Sequence, residues 1–161
     1  MTDVAVFADT YNKALEVLAR GPRAAKDLAR WLLQREHPRE EVEAAITRLT
    51  ERGLLNDAAY AVMFARSRLT THHMSRRRIA AELSKRGVER AIANAAIAEV
   101  MEDESIDERA MVSSAGEKKL RSLANLERDV QRRRLYGFLA RKGYPADLVR
   151  DVVATLMAAT S

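Results

Sequence analysis

A motif that occurs twice at one fixed spacing constrains the fold of this chain more than any other feature. Leu83-Ser84-Lys85-Arg86-Gly87-Val88 is followed by Ile92 and Ile97, and Leu139-Ala140-Arg141-Lys142-Gly143-Tyr144 by Leu148 and Val153, every element displaced by the same 56 positions. A weaker third copy, Leu33-Gln34-Arg35-Glu36-His37, has Val42 in the place of Ile92. Repetition of so short an apolar and basic element implies small helical units in tandem, and arrays of that kind work by offering an extended surface rather than a catalytic pocket.

The residue types agree. Aromatic residues make up only 5% of the chain, and Ala, Leu, Arg and Glu, all good helix formers, dominate it. A chain so poor in β-branched and aromatic residues does not build a sheet. With 6 Gly and 3 Pro, long stretches run between punctuation marks, which favours helices joined by short turns. The absence of Cys excludes a disulfide framework, thiolate zinc ligands and a cysteine nucleophile, and makes the cytoplasm the expected location. No apolar run approaches the ~20 residues that span a bilayer, and the N-terminus lacks the layout of a signal peptide, so no membrane contact is expected.

Periodicity and punctuation place the elements. An opening helix is predicted from near Asp9 to Gly21-Pro22, and a second from about Ala24 to Arg35 with Leu28, Trp31 and Leu32 on its apolar face. Pro38 is expected at the first position of a third helix carrying the stripe Val42, Ala45, Ile46 and Leu49, which Gly53 ends. Leu54 and Leu55 are expected to dip into the core, and Asn56 or Asp57 to cap a helix bearing Tyr60 and Phe64 that fades near Thr70. Ser75 should cap the next helix, with Ile79 and Leu83 inward, and Gly87 should close it. The acidic run Glu102-Asp103-Glu104, with Asp107 and Glu108, suits a helix N-terminus, where the macrodipole favours negative charge. Pro145 then opens a last helix with Leu148, Val149, Val152, Val153 and Leu156 buried. The expected architecture is all-α: an elongated, curved array of three tandem three-helix units at 1–56, 57–101 and 102–161, winged-helix-like without wings.

The net charge of +5 is not evenly spread. Residues 57–100 hold eight basic and four acidic side chains, whereas the flanking segments are nearly balanced. Such a patch suits an anionic partner, either nucleic-acid phosphate or an acidic protein groove, although clustered cations also form ordinary solvated faces. The candidate surface residues are Arg66, Arg68, Arg77, Arg78, Lys85 and Arg86, together with Arg132, Arg133, Arg141 and Lys142. Arg132, Arg133 and Arg134 are consecutive, so at 100° per residue at most two share a surface. Catalysis finds little support. There is no phosphate-cradling Gly-x-x-x-x-Gly-Lys-Ser/Thr loop, His72-His73 are expected in a solvated loop, and the acidic run lacks partner ligands for a metal. No catalytic residue, metal or cofactor is expected.

Three ordered motifs identify a relationship. Gly53-Leu54-Leu55-Asn56-Asp57 followed by Tyr60, Ala61 and Phe64, then Arg78-Ile79-Ala80-Ala81-Glu82-Leu83-Ser84-Lys85-Arg86-Gly87-Val88, then Tyr136-Gly137-Phe138-Leu139-Ala140-Arg141-Lys142-Gly143-Tyr144, resemble the signatures of the RecX family of bacterial RecA regulators. The likeness covers roughly residues 12 to 157; it departs from the family's pattern at Ser75, where members often carry Gly, and from the chain's own motif at His37, which takes the place of Gly. The resemblance implies a monomeric protein that docks in the groove of the RecA–single-stranded DNA filament and inhibits filament growth, ATP hydrolysis, strand exchange and coprotease activity. The basic surface makes single- and double-stranded DNA expected as further partners, bound weakly and without sequence preference. From the residues alone, two other readings stay open: a winged-helix or helix-turn-helix DNA reader, and an α-solenoid scaffold.

Overall fold

The apolar stripes at three- and four-residue spacing fold as α-helices. A computed structural model describes the backbone of residues 2–160 and the side chains of residues 7–160. Among the described residues there are nine helices and no strand: α1 (Thr2–Ala19), α2 (Ala25–Leu33), α3 (Arg39–Glu51), α4 (Asp57–Thr70), α5 (Arg76–Lys85), α6 (Arg90–Asp103), α7 (Glu108–Arg121), α8 (Arg128–Arg141) and α9 (Ala146–Ala159). The two short strands that a wing requires are thus absent among the described residues. The opening helix starts seven residues earlier than expected, at Thr2. Pro38 and Pro145 stand one position outside their helices, in extended conformation, so each precedes the first helical turn instead of opening it.

The chain divides into two compact bodies, Met1–Met63 with Glu82–Ala96, and Phe64–Ala81 with Ile97–Ser161. The helices α4, α5 and α6 each give one end to each body. In the first body, α3 packs on α1 and α2. Its core joins Ala14, Val17, Leu28, Leu32, Val42, Leu49 and Leu55, with Trp31 and Ile46 partly buried against it. Each fully enclosed Leu contributes about 1.5–3 kcal/mol relative to exposure, so these few side chains carry most of the local stability. Leu54 does not join them; it is 51% exposed while its neighbour Leu55 is 3% exposed, because successive residues leaving a helix point apart. The buried Thr10 is satisfied by His37 Nδ1 at 2.9 Å and by Glu41 Oε2 at 2.8 Å. In the second body α7, α8 and α9 pack against one another around Val112, Leu120, Leu135, Leu139, Val149, Val152 and Met157.

The weak third copy of the motif lies one residue away from the register Leu33–His37 expected from the sequence. Positive φ falls on Glu36 (64°), Gly87 (81°) and Gly143 (91°), and in the first two copies the residue after it donates its amide to a carbonyl five positions back, His37 to Leu32 at 3.3 Å and Val88 to Leu83 at 3.1 Å. Leu32, not Leu33, therefore matches Leu83 and Leu139, and all three are fully buried. Val42 correspondingly matches the buried Ala93 and Val149 rather than Ile92 and Leu148. The helix-stop conformation sets this register, and Glu36 conceals it because it adopts that conformation without being Gly.

The copies also lock onto their predecessors. Asp57 Oδ1 accepts from the Ala25 amide at 2.8 Å, and Glu108 Oε1 accepts from the Arg76 amide at 3.3 Å, the same pairing moved 51 positions along the chain. The first residue of α4 thus caps α2, whose own Ala24 offers no side-chain cap, and the first residue of α7 caps α5. Asn56 serves α4 itself, accepting from the Ala59 amide at 3.0 Å, and Ser75 serves α5 through the Arg78 amide at 3.2 Å. The glycine turns pack the same way. A Cβ on Gly87 would lie 2.4 Å from Lys26 Cβ on α2, and one on Gly143 would lie 2.6 Å from both Arg78 Cβ and Ser75 Oγ at the start of α5. In the first copy exposed Glu36 stands in the glycine's place.

Candidate docking surfaces

Half of the ten candidate cations make contacts within the fold. Arg66 reaches Asp103 at 3.3 Å and also pairs with Glu104. This shows why the acidic run sits where it does: Glu102, Asp103 and Glu104 lie at the C-terminal end of α6, the unfavourable pole of the helix for carboxylates, and Arg66 offsets them. Only Asp107 and Glu108 take the N-terminal role expected of the whole run, with Asp107 accepting from the Arg109 amide at 3.0 Å. The Arg68 guanidinium stacks 4.6 Å from the Phe64 ring centroid. Arg78 donates to the Arg141 carbonyl at the C-terminal end of α8. Arg86 donates to the Glu82 carbonyl at 2.9 Å, with that residue's carboxylate at 3.9 Å. Lys142 Nζ donates to the His72 carbonyl at 2.6 Å and stands 5.0 Å from the Phe138 ring centroid. Burial lowers the Lys142 pKa, and the Arg78 charge adds to that effect.

These last contacts tie the loop after α4 to the turn after α8. The Ser75 amide donates to the Lys142 carbonyl at 3.1 Å, and the Tyr144 hydroxyl donates to the His73 carbonyl. Tyr144 is buried, and burial pushes its phenol well above the ordinary value. His73 holds φ at 47°, and burial followed by repulsion from Lys142 lowers its imidazole pKa. His72 is exposed, as a solvated loop predicts, whereas His73 is half-buried, and the carbonyls of both are held by Lys142 and Tyr144; among the described residues no group of His, Asp or Glu could hold a metal ion.

The other five, Arg77, Lys85, Arg132, Arg133 and Arg141, are exposed and form no ion pair among the described residues. Arg77 and Lys85 sit on α5. The rest sit on α8, where the run of arginines fans out as helical geometry requires. Arg134 and Arg141 line a groove between α7 and α8 with Lys119 and Gly137; Arg132 lines a second groove between α8 and α9; Arg133 borders both. In the middle segment Arg66, Arg68, Arg78 and Arg86 are thus held by internal partners, while further exposed arginines without an ion pair among the described residues lie along α8. Arg128 and Arg150, which also line the second groove, escape a reading of charge runs because each is isolated in sequence. Their signal lies in helical spacing: Arg150 precedes Val153, Ala154 and Met157 by three, four and seven positions.

Models of three successive domains match the chain in order: "RecX, first three-helix domain" over residues 11–49, "RecX, second three-helix domain" over 56–97, and "RecX, third three-helix domain" over 107–153. The chain belongs to the RecX family. Among its relatives, a protein named "Regulatory protein RecX" from Streptomyces coelicolor is 39% identical over 140 residues, 86% of this chain and 72% of that one. The protein of the same name from Amycolatopsis mediterranei is 36% identical over 149 residues, 90% of this chain and 83% of its own length. Two solved structures share the fold: the crystal structure of RecX from Lactobacillus salivarius (TM-score 0.75, 21% identity, covering 95% of this chain and 97% of that one) and that of a regulatory protein RecX (TM-score 0.79, 19% identity, 94% and 74%). The RecX resemblance and the all-α array of three three-helix domains expected from the motifs are thereby established. Among the described residues no helix is long and apolar enough to cross a membrane.

Proposed function

We propose that this RecX-family chain regulates the RecA recombinase by docking along the RecA–single-stranded DNA filament, limiting filament growth and with it ATP hydrolysis, strand exchange and coprotease activity. Three RecX domains in order over most of the chain are the observation that carries this reading. It calls for no chemistry by the chain itself, in keeping with relatives named as regulatory proteins. The candidate cations most available to meet an acidic protein surface or DNA phosphate are those exposed and without an ion pair, Arg77 and Lys85 on α5 and Arg132, Arg133 and Arg141 on α8, whereas Arg66, Arg68, Arg78, Arg86 and Lys142 also make contacts within the fold. The protein acts as a monomer in the cytoplasm, where its target is found.

The test is direct. ATP-bound RecA filaments are sedimented with the purified chain, and their ATP hydrolysis is followed as the chain is added below stoichiometric amounts. Capture in the pellet together with a falling rate is expected. An unchanged rate in the presence of excess chain at low salt, where charge attraction is screened least, sinks the proposal.

A further inference from the structure

The two grooves beside α8 differ in kind. The α7–α8 groove, bordered by Lys119, Arg133, Arg134 and Arg141, is a cationic channel. The α8–α9 groove, about 600 Å³, has four arginines, Arg128, Arg132, Arg133 and Arg150, around an apolar floor, and no carboxylate lines it. The floor comes from one stripe of α9, Val153, Ala154, Met157 and Ala158, joined by Tyr136 of α8. Val153 and Met157 are buried, so the surface offered is largely the exposed Ala154 and Ala158, small side chains one turn apart that let another backbone come close. Arg128 anchors the far end, donating to the Met157 carbonyl at 2.7 Å, whereas Arg132, Arg133 and Arg150 stand exposed on the rim.

We propose that the α8–α9 groove seats an acidic amphipathic helix of the partner protein, its apolar stripe on the alanine floor and its carboxylates against the arginine rim. A helix laid in a groove meets its host through apolar residues at i, i+3, i+4 and i+7, and the α9 stripe from Arg150 to Ala158 presents the complementary row. Charge complementarity selects the sign: bidentate arginines around a carboxylate-free rim favour Glu and Asp on the flanks of the incoming helix. A nucleic-acid backbone would use the rim but gain nothing from a floor of alanine, so a protein segment is the better match. The partner is taken to be the RecA filament, and in that respect the inference rests on the function proposed above.

Two variants of the full chain separate the possibilities: Arg132→Glu with Arg150→Glu, which reverses the rim, and Ala154→Phe, which fills the floor and leaves every charge in place. Each is compared with the unaltered chain for capture by ATP-bound RecA filaments, for binding to a labelled oligodeoxythymidine, and for helicity by circular dichroism. Both variants should keep their helicity and lose roughly tenfold in filament capture, as expected for loss of a charge-complementary, well-packed contact. Oligodeoxythymidine binding should be unaffected by Ala154→Phe. Capture of both variants at the level of the unaltered chain overturns the groove while leaving the RecA reading intact. Failure of the unaltered chain to be captured overturns the RecA reading and the groove's assignment with it. Loss of oligodeoxythymidine binding on rim reversal, with Ala154→Phe captured normally, makes the groove a phosphate site and likewise overturns the proposal.

Discussion

Three glycines end helices in the left-handed region, Gly53 at φ 72°, Gly87 at 81° and Gly143 at 91°, and replacing each by Ala should separate two effects that normally come together. The conformational penalty is shared: a Cβ in this region costs about 1 kcal/mol wherever it occurs. The space around it is not shared. At Gly53 an added Cβ meets nothing within 4 Å, at Gly87 it falls 2.4 Å from Lys26 Cβ, and at Gly143 it falls 2.6 Å from Arg78 Cβ and Ser75 Oγ. A Cβ that close to another Cβ forces backbone to move, and overpacking of that kind costs a further ~1–3 kcal/mol. Gly53→Ala should therefore lose about 1 kcal/mol, and Gly87→Ala and Gly143→Ala about 2–4 kcal/mol each. Urea unfolding followed by the helical circular dichroism signal measures this. With an m-value of about 2 kcal/mol per molar, the two groups of variants should differ in midpoint by roughly 0.5–1.5 M. If Gly53→Ala is as damaging as Gly143→Ala, backbone conformation alone explains these glycines, and the packing of each turn on the preceding unit contributes nothing.

Two further outcomes follow from the capping and burial seen here. Asp57→Ala should destabilise the first body by about 1 kcal/mol by leaving the Ala25 amide without its acceptor, and Asp57→Asn should restore most of the loss, both read from urea midpoints. Tyr144 tests its burial through pH. Its phenol is held above the ordinary value of 10.0, so the unfolded chain gives up that proton first; the stabilisation is whole below pH 10 and drains away as pH rises further. Lys142 works in the opposite sense, because burial lowers its pKa and alkaline conditions relieve that cost. The comparison of the unaltered chain with Tyr144→Phe isolates the phenol: the variant should lose less stability between about pH 9 and pH 11 in urea titrations. Identical alkaline slopes for the two proteins would mean that the Tyr144 hydroxyl is not sequestered.

Much of the fold was legible because helix signals are local. Ser75 as a cap, Gly53, Gly87 and Gly143 as stops, and the stripes through Leu28 and Leu32, Ile79 and Leu83, or Val149, Val152 and Val153 depend only on residues within a turn or two. The misplacements share one cause, a partner distant in sequence. Glu102-Asp103-Glu104 looked like a helix start until Arg66, 37 and 38 positions away from the two carboxylates it meets, accounted for them at a helix end. Leu54 and Leu55 are indistinguishable in sequence, and only the tertiary arrangement buries one of them. The first motif copy lies one residue from its expected register because Glu36 occupies the left-handed position and nothing local announces it.

The cations show the same division most clearly. By itself the sequence determined that the chain is an all-helical repeat, where its helices stop, and that its positive charge is concentrated around the central copy of Leu-x-Arg/Lys-Arg/Lys-Gly. Those properties follow from residue type and short-range spacing. Which of these charges can meet a partner was decided only in three dimensions, because a guanidinium is spent or free according to what the fold brings within hydrogen-bonding reach. Arg66, Arg78, Arg86 and Lys142 each find a carboxylate or a backbone carbonyl, whereas the arginines fanned along α8 face open grooves. The repeat motif thus sets the helix stops, and beside its last copy the exposed arginines of α8 line open grooves.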